Sequence, residues 1–413
     1  MDAPSRSTTR SPSRRAVSQA RFPRPRLVSH RAASWIAPFW LAVFWITVQT
    51  TGVVAANEVV QTAVDGKLIT VEGRILVEAQ DGGLLLEEPS GRQWTLEPQD
   101  IVTRTRNDNQ FAPITSDELA ALMRERLGDG FQIHQTEHYV IAYETSSAFA
   151  IWVGSLFERL LRGFDSYWGQ RDIELNEPAF PLPVVILGSR ARFEQYAEQE
   201  LGGPPGSIIA YYHLLHNEVV MYDLTESDDP EPRRGSNADR INAVLSRPEA
   251  YGLVATIVHE ATHQVSYNVG LQQRLADYPM WVNEGMAAFF ETPDLRSRTG
   301  WRGIGQLNPL RLPQLKQCLL DREADGLVRT LVDDQRFKSG ETVLDAYAEA
   351  WGLVYYLSRV KRDEFAAYLR DLQGLTPLGV SAADERLELF REHFGQDLEA
   401  LDREFVRYIQ RQR

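Results

Sequence analysis

The sequence predicts an α+β fold, in which a mixed sheet packs on helices, a small β-rich unit precedes it and a mostly helical lobe follows. Three observations carry this. Short apolar runs separated by Gly-rich turns fill residues 59–102; strand-like and helix-like segments alternate through residues 131–223; and beyond Gly300 apolar residues recur at helical spacing. At 413 residues the chain exceeds what one ordinary core fills, so a main domain with attachments is expected. The composition divides it as 1–56, a basic leader; 57–110, a β-rich domain; 111–300, the α+β core; and 301–413, a helical subdomain.

The leader is rich in Ser, Pro and Arg up to Arg31, followed by an apolar run over residues 35–48 and small residues at VVAAN. A positive start, an apolar stretch short for a span and a small-residue site near Ala56 form the pattern of a secretory signal. Export to a periplasm, cell envelope or extracellular space is the expectation. Two other readings stay open: an uncleaved anchor holding the chain to a membrane through residues 35–48, or a true start nearer Arg31. The Arg14-Arg15 pair lies far from the apolar run and lacks the flanks of a twin-arginine signal.

In the next segment, LITVEGRILVEA, DGG, LLLEEP, SGR and QWTLEP alternate β-type runs with turns, which predicts a small meander or SH3-like barrel. A helix is expected over residues 116–127, entered by Ser116 or Asp117. FQIHQTEHYVIAYET reads as one strand and residues 147–168 as a long amphipathic helix. PLPVVILG reads as a buried strand leading to a helix over residues 190–200, and SIIAYYHLLHNEVVMYD as a hairpin turning near residues 213–217. Residues 225–240 are polar and interrupted by proline, a solvated loop or a rim over a site. Later helices are expected over residues 342–359, 363–373, 384–394 and 397–410.

Ser246-Arg247-Pro248-Glu249 has the form of a capping box, opening a helix that runs to about Val269 and ends at Gly270, a residue free to take left-handed geometry. This helix carries TIVHEATHQVSYNVG, with two of the chain's eight histidines. One turn apart, His259 and His263 project from one face, where both imidazoles can reach a single ion, with Glu260 in the neighbouring sector. The bland alternative is an amphipathic helix with two incidental histidines. A further segment, PMWVNEGMAAFFETP, places Glu284 21 residues after His263, near the start of a short helix between Pro279 and Pro293. Packed against the first helix, it could bring a third donor to the histidines and leave a fourth corner for water.

His259-Glu260-x-x-His263 followed by Trp281-Val282-Asn283-Glu284-Gly285-Met286-Ala287 resembles the gluzincin superfamily of zinc metallopeptidases. The WxNEGxA part is similar to the M1-type aminopeptidases, with a slightly longer gap before the glutamate. A closer likeness is to uncharacterised exported bacterial proteins of the peptidase MA-like group, classed as a domain of unknown function, which share a hairpin like residues 206–223, HEATHQ and PxWVxEG. The resemblance spans about residues 131–368 and is weak outside 207–292. It implies that His259, His263 and Glu284 bind one Zn2+, that Glu260 is the general base, and that the substrate is a peptide or protein. Related enzymes supply an oxyanion donor from a later Tyr or His, which implies Tyr347; its competing reading is an apolar stripe with Trp351, Val354 and Tyr355. Two departures stand out: no Gly-x-Met-x-Asn segment precedes the motif, and Ala288 stands where an acid would support a histidine.

Other residues receive plainer readings. Cys318, the sole cysteine, excludes an internal disulfide and reads as helix packing. His213 and His216 are expected to face opposite sides of extended chain or solvent in a turn, and His134 and His138 to share a strand face; no metal is assigned to either pair. The net charge is −13 although the first 56 residues carry +7, leaving about −20 for the remainder, so no nucleic-acid partner is expected. The alternative to a peptidase is a non-catalytic zinc-containing binding or scaffold protein of the cell envelope. Glu260 argues against it, because a structural site has no use for that carboxylate.

Overall fold

The computed structural model describes residues 56–64, 66–203, 206, 208–225, 241, 243, 245–247, 250–292 and 303–413. The leader, residues 226–240 of the polar loop, and Pro248 and Glu249 of the expected capping box lie outside the described residues. The described residues belong to one compact unit of mixed α/β structure, with two sheets and 11 helices among them. None of these helices is long and apolar enough to cross a membrane.

The first sheet comprises β1 (Ala56–Val64), β2 (Lys67–Glu78), β3 (Leu84–Glu87), β4 (Gln93–Leu96) and β5 (Ile101–Gln110), in the order β4-β3-β2-β1-β5. Every pair is antiparallel, and the turns at Gly66 and Gly82 use the positive φ that glycine permits. The expected barrel is corrected to an open sheet, because β4 and β5 are its two edges. β4 is four residues long, and the Gln93 N–H instead donates to Leu215 O of the second sheet's hairpin at 2.7 Å. The sheet's own apolar cluster is small: Val60, Val71, Leu84, Leu86 and Leu96.

The second sheet contains β6 (Gln132–Gln135), β7 (Tyr139–Tyr143), β8 (Leu182–Leu187), β9 (Ala210–His213) and β10 (Glu218–Tyr222), in the order β6-β7-β8-β10-β9. The central pairs β7–β8 and β8–β10 are parallel, while β6–β7 and β9–β10 are antiparallel hairpins. The stretch expected as one strand is therefore two, because the chain reverses over residues 136–138, where the Thr136 N–H donates to Tyr139 O. Side-chain alternation divides the core. Tyr139, Ile141, Val184, Ile186, Val219 and Met221 face one apolar cluster, and Val140, Ala142, Val185, Leu187 and Val220 face another.

Helices cover both faces. On one side lie α1 (Ser116–Leu127) and α3 (Arg190–Leu201), contributing Leu119, Met123, Phe193 and Ala197. On the other lie α2 (Ser147–Gly169) and α4 (Ala250–Asn268), contributing Phe157, Leu160, Phe164, Ile257 and Val265. α1 opens with a complete capping box between Thr115 and Glu118, one residue before the expected caps. The larger cluster continues into α5 (Met280–Phe290), α6 (Arg311–Cys318), α7 (Gly326–Val332), α8 (Val343–Val360), α9 (Arg362–Gln373), α10 (Ala383–Phe394) and α11 (Leu398–Gln410). Trp281 anchors this lobe, stacked on Tyr368 and meeting Phe390 edge-on.

Candidate metal centre

The centre is built where α4, α5 and α8 meet beneath the edge strand β9. Val254, Ile257, Val258, Ala261 and Val265 fasten α4 into the core, which turns the opposite flank of the helix, with His259 and His263, toward α5. Gln264 fixes the helix against the sheet, its buried Nε2 donating to Pro183 O at 3.0 Å and to Asn217 O at 2.7 Å. After the helix, Gly270 takes φ +78°, in keeping with its expected role at the end of the turn. α5 starts behind Pro279, and Asn283 ties it back to α4 by accepting from Tyr267 Oη at 3.1 Å.

Three donor atoms converge as a result. His259 Nε2 lies 3.1 Å from Glu284 Oε2, His263 Nε2 lies 3.1 Å from His259 Nε2, and His263 Nε2 lies 3.6 Å from Glu284 Oε2. A tetrahedral ion with bonds of about 2.0–2.1 Å sets its donors about 3.3–3.4 Å apart, and the three measured edges bracket that value. All three residues are buried, at 5, 8 and 7 % exposure for His259, His263 and Glu284. Glu260 and Tyr347 are only half-buried, so they are the members open to an approaching molecule.

The charges around the centre favour a cation. His259 has a carboxylate on each ring nitrogen: Glu284 at Nε2, and Glu291 at Nδ1 at 2.9 Å. Burial opposes protonation of this ring, but Glu284 and Glu291 outweigh it and push its pKa up to about 10. Burial likewise opposes ionisation of Glu284, yet His263 and His259 hold its carboxyl well below the usual carboxylate range. His259, His263 and Glu284 thus form a buried group of donors that could hold a metal ion.

Glu260 differs from these groups. Burial raises its pKa, the nearby imidazoles only partly offset this, and Oε2 accepts the Tyr212 N–H of β9 at 2.9 Å. Tyr347, in the first turns of α8, sits with its ring 5.8 Å from that of His259. Burial and the Glu284 carboxylate raise its pKa, so its hydroxyl remains a proton donor. The structure thus brings together His259, Glu260, His263, Glu284 and Tyr347.

Sequence reasoning did not find the residue that supports His259. This is Glu291, buried at the end of α5, and its carboxylate is held by Arg311 Nε at 2.9 Å, Arg311 Nη2 at 2.6 Å and Asn308 Nδ2 at 2.8 Å. Burial opposes its ionisation, but His259 and Arg311 prevail and hold it low. The guanidinium of Arg311 also lies over the Tyr347 ring, 5.1 Å from its centroid. The available signal was spacing: Glu291 follows Glu284 by seven residues, two helical turns on one face.

The other histidine pairs also differ from expectation. His134 lies on β6 and His138 in the reversal, where its Nδ1 meets Glu158 at 2.9 Å. His213 and His216 do not face opposite sides, since the tight β9–β10 turn stacks their rings 3.9 Å apart. Cys318 closes α6, and its thiol is pushed up to about 12, burial being the main cause.

A family model described as "Protein of unknown function (DUF1570)" matches residues 253–379, so the chain contains a DUF1570 domain. The matched segment begins within α4 and ends beyond α9, and it includes His259, Glu260, His263, Glu284, Glu291, Arg311 and Tyr347. No curated protein matches the chain.

Proposed function

We propose that the protein is an exported zinc-dependent peptidase of the gluzincin type. The observation that carries this reading is the triangle formed by His259 Nε2, His263 Nε2 and Glu284 Oε2, with edges of 3.1, 3.1 and 3.6 Å, beside a half-buried Glu260. His259, His263 and Glu284 would hold the ion, and Glu291 would fix the ring orientation of His259. A bound zinc supplies an acidified water and Lewis-acid polarisation of a carbonyl.

The chain's own residues do the rest. Glu260, with its pKa raised by burial, takes a proton from the attacking water and can return it to the leaving amine. The Tyr347 hydroxyl, kept protonated, donates to the oxygen on which charge develops. β9 is an edge strand beside Glu260, which supports pairing with an extended substrate backbone. The signal-like leader supports an exported location.

Glu260→Gln tests the reading. Zinc content should match wild type while peptide hydrolysis falls by about 10²–10⁴-fold. A zinc-loaded wild type that cleaves no member of a diverse peptide library would contradict it and return the site to a non-catalytic scaffold.

A further inference from the structure

A second group of metal-ligand side chains lies at the tip of the β9–β10 hairpin. Glu200 comes from the last turn of α3, His213 ends β9, and His216 lies in the turn before β10. One ligand atom from each of the three lies within 4.8 Å of the others, and all three residues are half-buried. From this arrangement we infer a second divalent transition-metal site, formed by Glu200, His213 and His216, that clamps the hairpin tip to α3.

The hydrogen bonding distinguishes this group from an ordinary ion pair. Glu200 Oε2 and His216 Nδ1 lie 3.0 Å apart without hydrogen-bond geometry. His213 Nδ1 accepts the His216 backbone N–H at 3.2 Å, a long contact that a metal bond would replace. The donor set, two imidazoles and one carboxylate, suits zinc and its neighbours in the first transition row. Because the rings stack within 11° of parallel, binding must fan them apart.

The remaining histidine–carboxylate group shows the contrast. Glu158 accepts from Thr136 Oγ1 at 2.7 Å and from the His138 N–H at 2.8 Å, and pairs with His138 Nδ1 at 2.9 Å, while His138 Nε2 lies 3.4 Å from the exposed Glu177. Both oxygens of Glu158 are thus engaged in hydrogen bonds within the chain. In the hairpin group, by contrast, the carboxylate contact to His216 Nδ1 lacks hydrogen-bond geometry. The site also has a place in the architecture, because Tyr212, next to His213, bonds Glu260 through its backbone N–H. An ion at the hairpin tip would hold the strand that positions Glu260.

Metal counting tests this without any activity assay. The full chain is saturated with zinc chloride, dialysed against metal-free buffer and measured by inductively coupled plasma mass spectrometry, with circular dichroism to check the fold. Wild type should retain about two zinc ions, and His216→Ala or Glu200→Gln about one. The His259→Ala/His263→Ala double variant should also retain about one, held at the hairpin, so failure of either site shows in a different variant. Zinc contents of His216→Ala and Glu200→Gln equal to wild type would overturn the site. If His216→Ala does not fold, the double variant decides alone, and a zinc content of zero there overturns it.

Discussion

At the scale of single residues, Glu291 shows how the centre is tuned. It holds His259 Nδ1 and is itself held by Arg311 and Asn308, so one chain of contacts sets the orientation of the His259 ring. Glu291→Gln should keep the fold and lower zinc affinity by about 10–100-fold in chelator competition. Wild-type affinity in that variant would remove Glu291 from the account. Protons follow from the same contacts. Glu284 and Glu291 raise the His259 pKa to about 10 against the opposing effect of burial, so zinc bound there would displace a proton. Zinc uptake near pH 7 should therefore release about one proton per chain at this centre, seen as a buffer-dependent heat in calorimetry of Glu200→Gln. Uptake without release would mean that the ring is neutral. His259, Glu260, His263 and Glu284 were legible from spacing alone. Glu291 was not, because its two-turn spacing from Glu284 marks only a shared helix face, and its value comes from Arg311, 20 residues on, and from folding.

At the scale of elements, helix packing decides where Glu284 points. Gly285 sits where α5 crosses α8, and a Cβ built there would lie 2.6 Å from Ala350 O and 2.8 Å from a Val354 methyl. Backbone cannot yield as a flexible side chain would, so Gly285→Ala should destabilise by about 1–3 kcal/mol, measured by denaturant unfolding. Because Glu284 is the neighbouring residue, the same shift should weaken zinc binding; an unchanged unfolding midpoint would contradict this close packing. Helices with clear apolar periodicity were legible to within a residue or two, as with α1 (Ser116–Leu127) and α8 (Val343–Val360). Elements whose pattern is set by distant partners were not. β5 continues to Gln110 through TRTRNDNQ, a polar and largely exposed edge strand whose ladder to β1 leaves no apolar alternation to read. The stacking of His213 on His216 depends on a tight turn with Asn217 at φ +57°, which periodicity does not encode.

At the scale of the whole molecule, the two sheets are joined by polar contacts that a pass along the chain could not pair. Arg274, just beyond α4, reaches Glu87 of β3 at 2.8 Å and Leu214 O of the hairpin at 3.3 Å, both far from it in sequence. Arg274 and Glu87 are both buried, so the N-terminal sheet, the hairpin and the end of the histidine helix are bound as one unit around the centre. The open first sheet fits this arrangement, since its β4 edge is used on the hairpin rather than for closure. The central claim is that α4 and α5 bring three donors around one cation and leave a corner open to Glu260 and Tyr347. A crystal structure of the zinc-loaded protein with anomalous data at the zinc edge tests it most directly. The account predicts a peak bonded to His259 Nε2, His263 Nε2 and a Glu284 oxygen at about 2.0–2.2 Å, with the side facing Glu260 free of protein ligands. No zinc between those three side chains, or a fourth protein ligand closing the open corner, would contradict it.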